Sequence, residues 1–295
     1  MPAAAEPAVV ETARAKLNLD LLVTARRPDG WHELDSLVVF CELADRVELR
    51  PAEDLSLVID GPTAAGLPAD EGNLVLRAAR LLQRTVGGTP GAAIRLTKEI
   101  PLAAGLGGGS ADAAAALRGL GRLWRTGLDD ETLRDLALGL GADLPVCLYG
   151  RPARMRGLGE RLDPVRGLPD LPLVLVNPGR PLATASVFRA LSGPFRAAAR
   201  APLRALPSLV QLAVWLAESR NDLEPPARRL EPEIGRVLDD LASLSGCLVA
   251  RMTGSGATCF GLFGDRGEAE TGALLLRRRR PDWWIRATLA RGVPS

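Results

Sequence analysis

The stretch PLAAGLGGGSADAAAAL, residues 101–117, sets four glycines within five positions (Gly105 and Gly107 to Gly109) directly against an alanine-rich run. Glycine is among the poorest helix formers and alanine the best. The chain must therefore bend tightly and then enter a helix at once. The preceding AAIRLTKEIP reads as a strand, so the unit is strand, glycine bend, helix. Such a unit builds an anion site. Glycines let the backbone approach, several N–H groups point inward, and the helix dipole adds about half a positive charge. A plain strand-to-helix turn needs fewer glycines than this one has, which favours phosphate binding. Ser110 stands where a hydroxyl caps the helix or reaches a metal. The loop has no Gly-Lys-Ser/Thr ending, which excludes the nucleotide P-loop. It also lacks the last Gly or Ala of the dinucleotide fingerprint, and a β-rich start does not suit a doubly wound sheet.

The 295 residues suffice for one large or two ordinary domains. With 47% hydrophobic and 24% charged residues the composition is that of a globular protein. A net charge of +2 gives no general case for nucleic acid, and the run Arg277 to Arg280 reads as the solvated end of a helix before Pro281. Cys41, Cys147, Cys247 and Cys259 are scattered, which argues against a disulfide framework and a zinc site and fits a reducing compartment. MPAAAEPAVVE is not a secretory signal, and no apolar run approaches the roughly 18 residues that span a membrane. A cytoplasmic protein is expected.

Arginine is used almost everywhere, and Lys16 and Lys98 are the two lysines. A lysine kept against that bias suggests a compact point charge that a planar guanidinium cannot mimic. His32 is the one histidine.

Alternation in ARAKLNLDLLVTA (13–25) predicts a strand, RRPDG (26–30) a turn, and WHELDSLVVFCEL and DRVELRP further strands. Helices are predicted over 67–86, 111–124 and 129–143, and Gly-Ala-Asp-Leu-Pro (141–145) reads as a turn into a short strand, VCLYG. Further on, LPDLPLVLVNP is a buried-type strand and TASVFRAL starts a helix. Residues 201–244 hold two or three helices, CLVARMTGSGATCFGLFG is strand, glycine turn, strand, and a helix and a strand follow. The reading is α+β in two domains, 1–164 and 165–295.

Five segments then point to a family. P-x-x-A-G-L-G-G-G-S-A-D-A resembles the phosphate loop of the galactokinase, homoserine kinase and mevalonate kinase (GHMP) superfamily, and RMTGSGATCFGLF (251–263) resembles its glycine-rich third motif. ARAKLNLDLLV, RRPDGWHELDSL and GADLPVCLYG resemble one branch, the 4-diphosphocytidyl-2-C-methyl-D-erythritol kinase family. The resemblance runs from about residue 13 to 263, in order. It implies a two-domain α+β kinase with its active site in the interdomain cleft, ATP and Mg2+ as cofactors, and a cytidine diphosphate-linked small molecule as substrate.

The resemblance also implies roles. Asp143, by itself a turn residue, matches the catalytic base. Lys16, by itself a solvent-facing strand residue, matches the catalytic lysine. Ala103, Ala104, Gly105, Leu106, Gly107, Gly108, Gly109 and Ser110 would hold the triphosphate, and Ser110 the magnesium. His32 would hydrogen-bond the cytosine, with Trp31, where the family more often has tyrosine, and Phe188 as the stacking aromatics. Phe188 reads equally as the core face of a short helix. Thr184 contacts a substrate phosphate or caps its helix, and Gly254, Ser255 and Gly256 border the substrate or form a bare turn. Asn73 is a good N-cap and would lie near the nucleotide. Asp112 suits a helix dipole, and Lys98 has no assigned role. The expected reaction is phosphorylation of the 2-hydroxyl of the cytidyl substrate in the non-mevalonate route to isoprenoids. A kinase acting on homoserine, mevalonate or a sugar, and a non-catalytic nucleotide-binding regulator, are the alternatives.

Overall fold

The computed structural model describes residues 8–88, 90–193, 195 and 208–293. In chain order the elements begin β1 (Val9–Asn18), β2 (Leu22–Arg26), β3 (His32–Ala52), β4 (Leu55–Asp60), α1 (Leu74–Val86), β5 (Gly91–Thr97), α2 (Gly108–Leu123), α3 (Asp130–Leu138) and α4 (Leu144–Tyr149). They continue with β6 (Ala153–Gly157), β7 (Arg161–Pro164), β8 (Leu171–Asn177), α5 (Thr184–Arg189), α6 (Leu209–Ala217) and α7 (Glu224–Leu230). The chain ends in α8 (Glu233–Ala242), β9 (Cys247–Met252), β10 (Cys259–Phe263), α9 (Arg266–Arg279) and β11 (Trp284–Ala290). This mixture of helices and strands is the expected α+β class. The first part of the helical stretch expected over 201–244 lies outside the described residues.

The chain gathers into two compact units. The first holds the described parts of residues 1–15, 43–102 and 107–150, the second those of 16–42, 103–106 and 151–295. Both β1 and β3 pass from one unit to the other, and so does the glycine loop.

In the first unit β4 pairs parallel with β5, and β5 pairs antiparallel with the second half of β3. The helix α1 packs on α2. Ala113 to Ala116 are wholly buried, so the alanine run supplies a thin helix that fits between neighbours as well as a strong helix former. Gly119 serves the same end, since a Cβ there would lie 2.4 Å from Leu49 of β3.

In the second unit the strand order is β3, β11, β8, β10, β9, each pair antiparallel. All of β8 is buried, as its unbroken apolar run implies. The first half of β3 also pairs with β2 and β6. Arg251 of β9 is buried among these elements. Its guanidinium donates to the carbonyls of Leu19, Leu216 and Ser219 at 3.3, 2.6 and 3.0 Å.

Six local expectations change. The helix expected over 67–86 starts only at Leu74, after the Asn73 cap, and the single strand expected over 13–25 is two, β1 and β2. VCLYG is not a strand but most of α4. A short apolar run does not declare its period, and the end signals decide: Pro145 in the first turn and Gly150 at φ 63° just past the end. The helix expected over 129–143 stops at Leu138, before two glycines. The two strands expected over 31–51 are one, the 21-residue β3. The helix α2 begins at Gly108 rather than 111.

Arg251→Met removes three charge-assisted donors from buried carbonyls. It is expected to cost on the order of 3 kcal/mol or more of unfolding free energy, read from urea denaturation. A loss below about 1 kcal/mol would mean those carbonyls find other partners.

Candidate active site

Two glycine turns of the second unit meet backbone to backbone. Gly105 has φ 74°, and a Cβ on it would stand 2.7 Å from the Gly256 carbonyl oxygen and 3.0 Å from that of Thr253. Gly254 has φ 55°, and its Cβ would stand 2.9 Å from the Gly105 carbonyl oxygen. The N–H of Thr258 donates to the Ala104 carbonyl at 3.3 Å, and the N–H of Gly256 to that of Thr253 at 3.1 Å. The amide of Asn221 donates to the carbonyls of both Met252 and Gly254, each at 2.8 Å, and so fixes the second turn.

Lys16 lies beside this contact. It is buried, not solvent-facing as its strand position alone suggests. Its backbone N–H donates to the Leu106 carbonyl at 2.9 Å, and its Nζ to Asn18 Oδ1 at 2.8 Å. Asn18 is itself held, its N–H by Thr253 Oγ1 at 2.8 Å and its Nδ2 by Ser36 Oγ at 2.6 Å. Ser36 Oγ donates to the Asp20 carbonyl at 2.5 Å. A polar stripe thus runs down β1 and the residues after it, wholly inside the protein.

At the far end of the loop, Gly107 takes φ 63° as the residue that starts α2, with no side chain capping the helix. Ser110 therefore sits within the first turn and does not act as a cap. Asn73 does cap α1: its Oδ1 accepts from the Val75 N–H at 2.9 Å and its Nδ2 donates to the Pro68 carbonyl at 2.9 Å. Asp143 occupies the position before α4, and its carboxylate does not cap that helix. Asp112 is more than a dipole partner: it is buried and paired with Lys98 at 2.6 Å. Among the described residues no three His, Cys, Asp or Glu side chains cluster as a metal site.

His32 opens β3. Its ring stacks on Phe188 of α5, with centroids 5.1 Å apart, and meets Phe195 edge-on at 5.4 Å. Burial, then the nearby Arg26 charge, lower the imidazole pKa below its ordinary 6.5. Trp31 is 60% exposed, held by the turn before it through the Arg27 N–H on its carbonyl at 2.7 Å. Thr184 is the first residue of α5 and does not cap it; its hydroxyl pairs with Ser255 Oγ at 2.8 Å. Phe188 also packs against the apolar core of this unit, as its reading as the core face of a short helix expects.

The family models for the GHMP kinases N terminal domain and the GHMP kinases C terminal match residues 73–151 and 197–279. A 4-diphosphocytidyl-2-C-methyl-D-erythritol kinase of Paramagnetospirillum magneticum is 56% identical over 92% of this chain and 95% of its own. One of Parvibaculum lavamentivorans is 51% identical over 96% and 99%.

The chain belongs to the 4-diphosphocytidyl-2-C-methyl-D-erythritol kinase family.

A crystal structure of 4-(cytidine 5'-diphospho)-2C-methyl-D-erythritol kinase superposes with a TM-score of 0.76 at 39% identity, covering 96% of this chain and all of the other. Homoserine kinase from Cytophaga hutchinsonii shares the fold, with a TM-score of 0.71 at 19% identity over 97% of this chain and 96% of its own. As a member of the 4-diphosphocytidyl-2-C-methyl-D-erythritol kinase family, the protein is an ATP-dependent small-molecule kinase. No helix among the described residues is long and apolar enough to cross a membrane.

Within this family member, the sequence motifs do not mark Asn18 or Asn221. A signal for Asn18 exists: Lys16, Asn18 and Asp20 alternate with leucines on a segment whose other face is fully apolar. Asn221 carries no local signal, because its partners lie 31 and 33 residues away.

Gly105→Ala is expected to lower stability by more than the about 1–2 kcal/mol of a left-handed alanine, because the carbonyls of Thr253 and Gly256 also block it. Gly109→Ala, with open space around its Cβ, is expected to leave the urea midpoint unchanged or raised. Equal effects of the two would contradict the packing of the turns. As the sequence has one histidine, its NMR titration needs no assignment. The midpoint is expected below 6.5, so His32 is neutral at pH 7 and takes its proton only in acid. A midpoint at or above 6.5 would mean the ring is solvated or charge-paired.

Proposed function

We propose that this chain transfers the terminal phosphoryl group of ATP to the 2-hydroxyl of 4-diphosphocytidyl-2-C-methyl-D-erythritol, in the non-mevalonate route to isoprenoid precursors. The observation that carries the reading is 56% identity, over 92% of the chain, to a protein named for that kinase. Likeness to homoserine, mevalonate and galactose kinases, at 19% identity or less, supports the fold alone.

Phosphoryl transfer to an alcohol needs position and charge neutralisation more than covalent chemistry. We assign the triphosphate to residues 103–110, where α2 starts without a side-chain cap and its first N–H groups face phosphate oxygens. Asp143, at the residue before α4, accepts the proton of the substrate hydroxyl. Lys16, oriented by Asn18, offsets negative charge on the transferred group. Asn73 borders the nucleotide. His32 reads the cytosine edge as a neutral ring, and Trp31 and Phe188 supply aromatic faces, each base contact of this kind being worth about 1–3 kcal/mol. The Thr184 and Ser255 hydroxyls, with Gly254 and Gly256, face the substrate.

Magnesium keeps most of its water and takes further ligands from nucleotide phosphates, so one hydroxyl, Ser110, fits as its protein contact. When bound, the ion neutralises phosphate charge. Cys41, Cys147, Cys247 and Cys259 form no disulfide, which suits a reducing cytoplasm.

The test is ADP release with MgATP across 4-diphosphocytidyl-2-C-methyl-D-erythritol, mevalonate, homoserine and galactose. Turnover is expected with the first alone, and Asp143→Asn is expected to lose at least about 100-fold while still binding ATP. Turnover with another alcohol would overturn the cytosine assignment. Parental turnover in Asp143→Asn would remove that carboxylate from the reaction.

A further inference from the structure

The phosphate loop begins and ends on one buried ionic cluster in the first unit. Lys98 follows β5, and its ammonium, 1% exposed, donates to Asp45 of β3 and to Asp112 Oδ2 of α2, the latter at 2.6 Å. The other oxygen of Asp45 accepts the N–H groups of Glu99 and Ile100 at 2.5 and 2.9 Å. The first residue of α2 rests on the same group, since a Cβ on Gly108 would lie 3.5 Å from Lys98 Nζ and 3.2 Å from Ile100 Cγ2. The Lys98 backbone is pinned as well, its N–H to the Asp60 carbonyl at 2.7 Å. One ammonium therefore joins the strand that enters the loop to the helix that leaves it.

Two carboxylates against one ammonium carry an excess negative charge that burial does not tolerate. Burial, opposed by Lys98 and reinforced by Asp45, pushes the Asp112 carboxyl up to about 8. Its Oδ1 is buried without a hydrogen-bond partner. Such clusters seldom add net stability over an apolar replacement of similar size, and where they persist they can serve to hold one geometry. The geometry held here is the distance between residues 98–100 and residues 108–112.

We propose that Lys98, acting through Asp112, is a positioning residue for ATP. It fixes the start of α2 against the end of β5 so that the loop presents its N–H groups to the triphosphate in one arrangement. This rests on the reading of residues 103–110 as the ATP site. Arginine would not serve, because a planar fork cannot replace a compact ammonium between two close carboxylates.

The test measures MgATP binding by calorimetry and the KM of the cytidyl substrate. Asp112→Ala cuts the link to α2 and leaves Lys98 and Asp45 as a balanced pair. It is expected to weaken MgATP binding tenfold or more while the KM of the cytidyl substrate changes less than twofold. Asp112→Asn keeps an oxygen for Lys98 and is expected to stay within threefold of the parent. A folded Asp112→Ala protein with parental MgATP affinity would overturn the proposal. Should that variant not fold, Asp112→Leu, which keeps side-chain bulk and leaves Lys98 paired with Asp45, is expected to lose MgATP affinity to the same degree; parental affinity there overturns the proposal equally. Gly109→Asp separates the two readings. It puts a carboxylate into open space at the start of α2 and is expected to abolish MgATP binding. If it does not, the loop is not the ATP site and the underlying assignment fails. If it does, while Asp112→Ala binds as the parent, Lys98 alone loses its role.

Discussion

No side chain fits between Gly105 and the turn at 253–256, and the candidate site in the second unit is organised around that fact. Backbone meets backbone there, at distances where a Cβ on Gly105 would stand 2.7 Å from a carbonyl oxygen. Each neighbour takes its position from one of the two turns. Lys16 binds the first through the Leu106 carbonyl, Asn18 binds the second through the Thr253 hydroxyl, and Thr184 binds it through Ser255. Groups aimed by fixed backbone need no reorganisation when charge develops on a substrate, which is the condition for electrostatic catalysis.

The buried stripe of Lys16, Asn18, Ser36 and Asp20 is costly by the rules of a core. Each polar group removed from water must find a partner or lose several kcal/mol. The stripe meets that demand with neutral amides, hydroxyls and backbone groups as well as charges, and the ammonium of Lys16 is aimed by Asn18, itself fixed from β3 and from the 253–256 turn. Leucines in these positions would pack as well and cost less. A strand that alternates apolar residues with buried polar ones is built to present something, and this is why the pattern KLNLD carries more information than its strand propensity.

Much of this is legible in the sequence because it is local. Four glycines against an alanine run announce a strand-to-helix bend whatever surrounds them, and Lys16 stands out by the scarcity of lysine. The burial of Lys16 shows in the sequence only as a bias, and nothing there marks the partner that aims it. Asn221 and Asp45 act on groups far away in the chain, with no motif to mark them; Lys98 and Asp45 are 53 residues apart. The strand expected for VCLYG fails for a different reason. Five apolar-rich residues do not reveal a period, and Pro145 before them and Gly150 at their end are the better signals. The continuous β3 is hidden by the charged residues Glu42 and Asp45, which read as a break; Asp45 is in fact buried under Lys98.

A surplus of glycines points to a ligand only where packing leaves them without other work. The phosphate loop has more glycines than a plain turn needs, and the structure divides the duties among them. Gly105 is required by its left-handed backbone and by the opposing turn, and Gly107 by its own left-handed backbone just before α2, while a Cβ on Gly108 would crowd only the Ile100 side chain, at 3.2 Å. At Gly109 added bulk meets open space. Gly105 and Gly108 thus bring protein backbone and side chains close together. If residues 103–110 hold the triphosphate as proposed, the groups behind the loop, Lys98 and Asp112 among them, set its shape as much as the residues that would face the ligand.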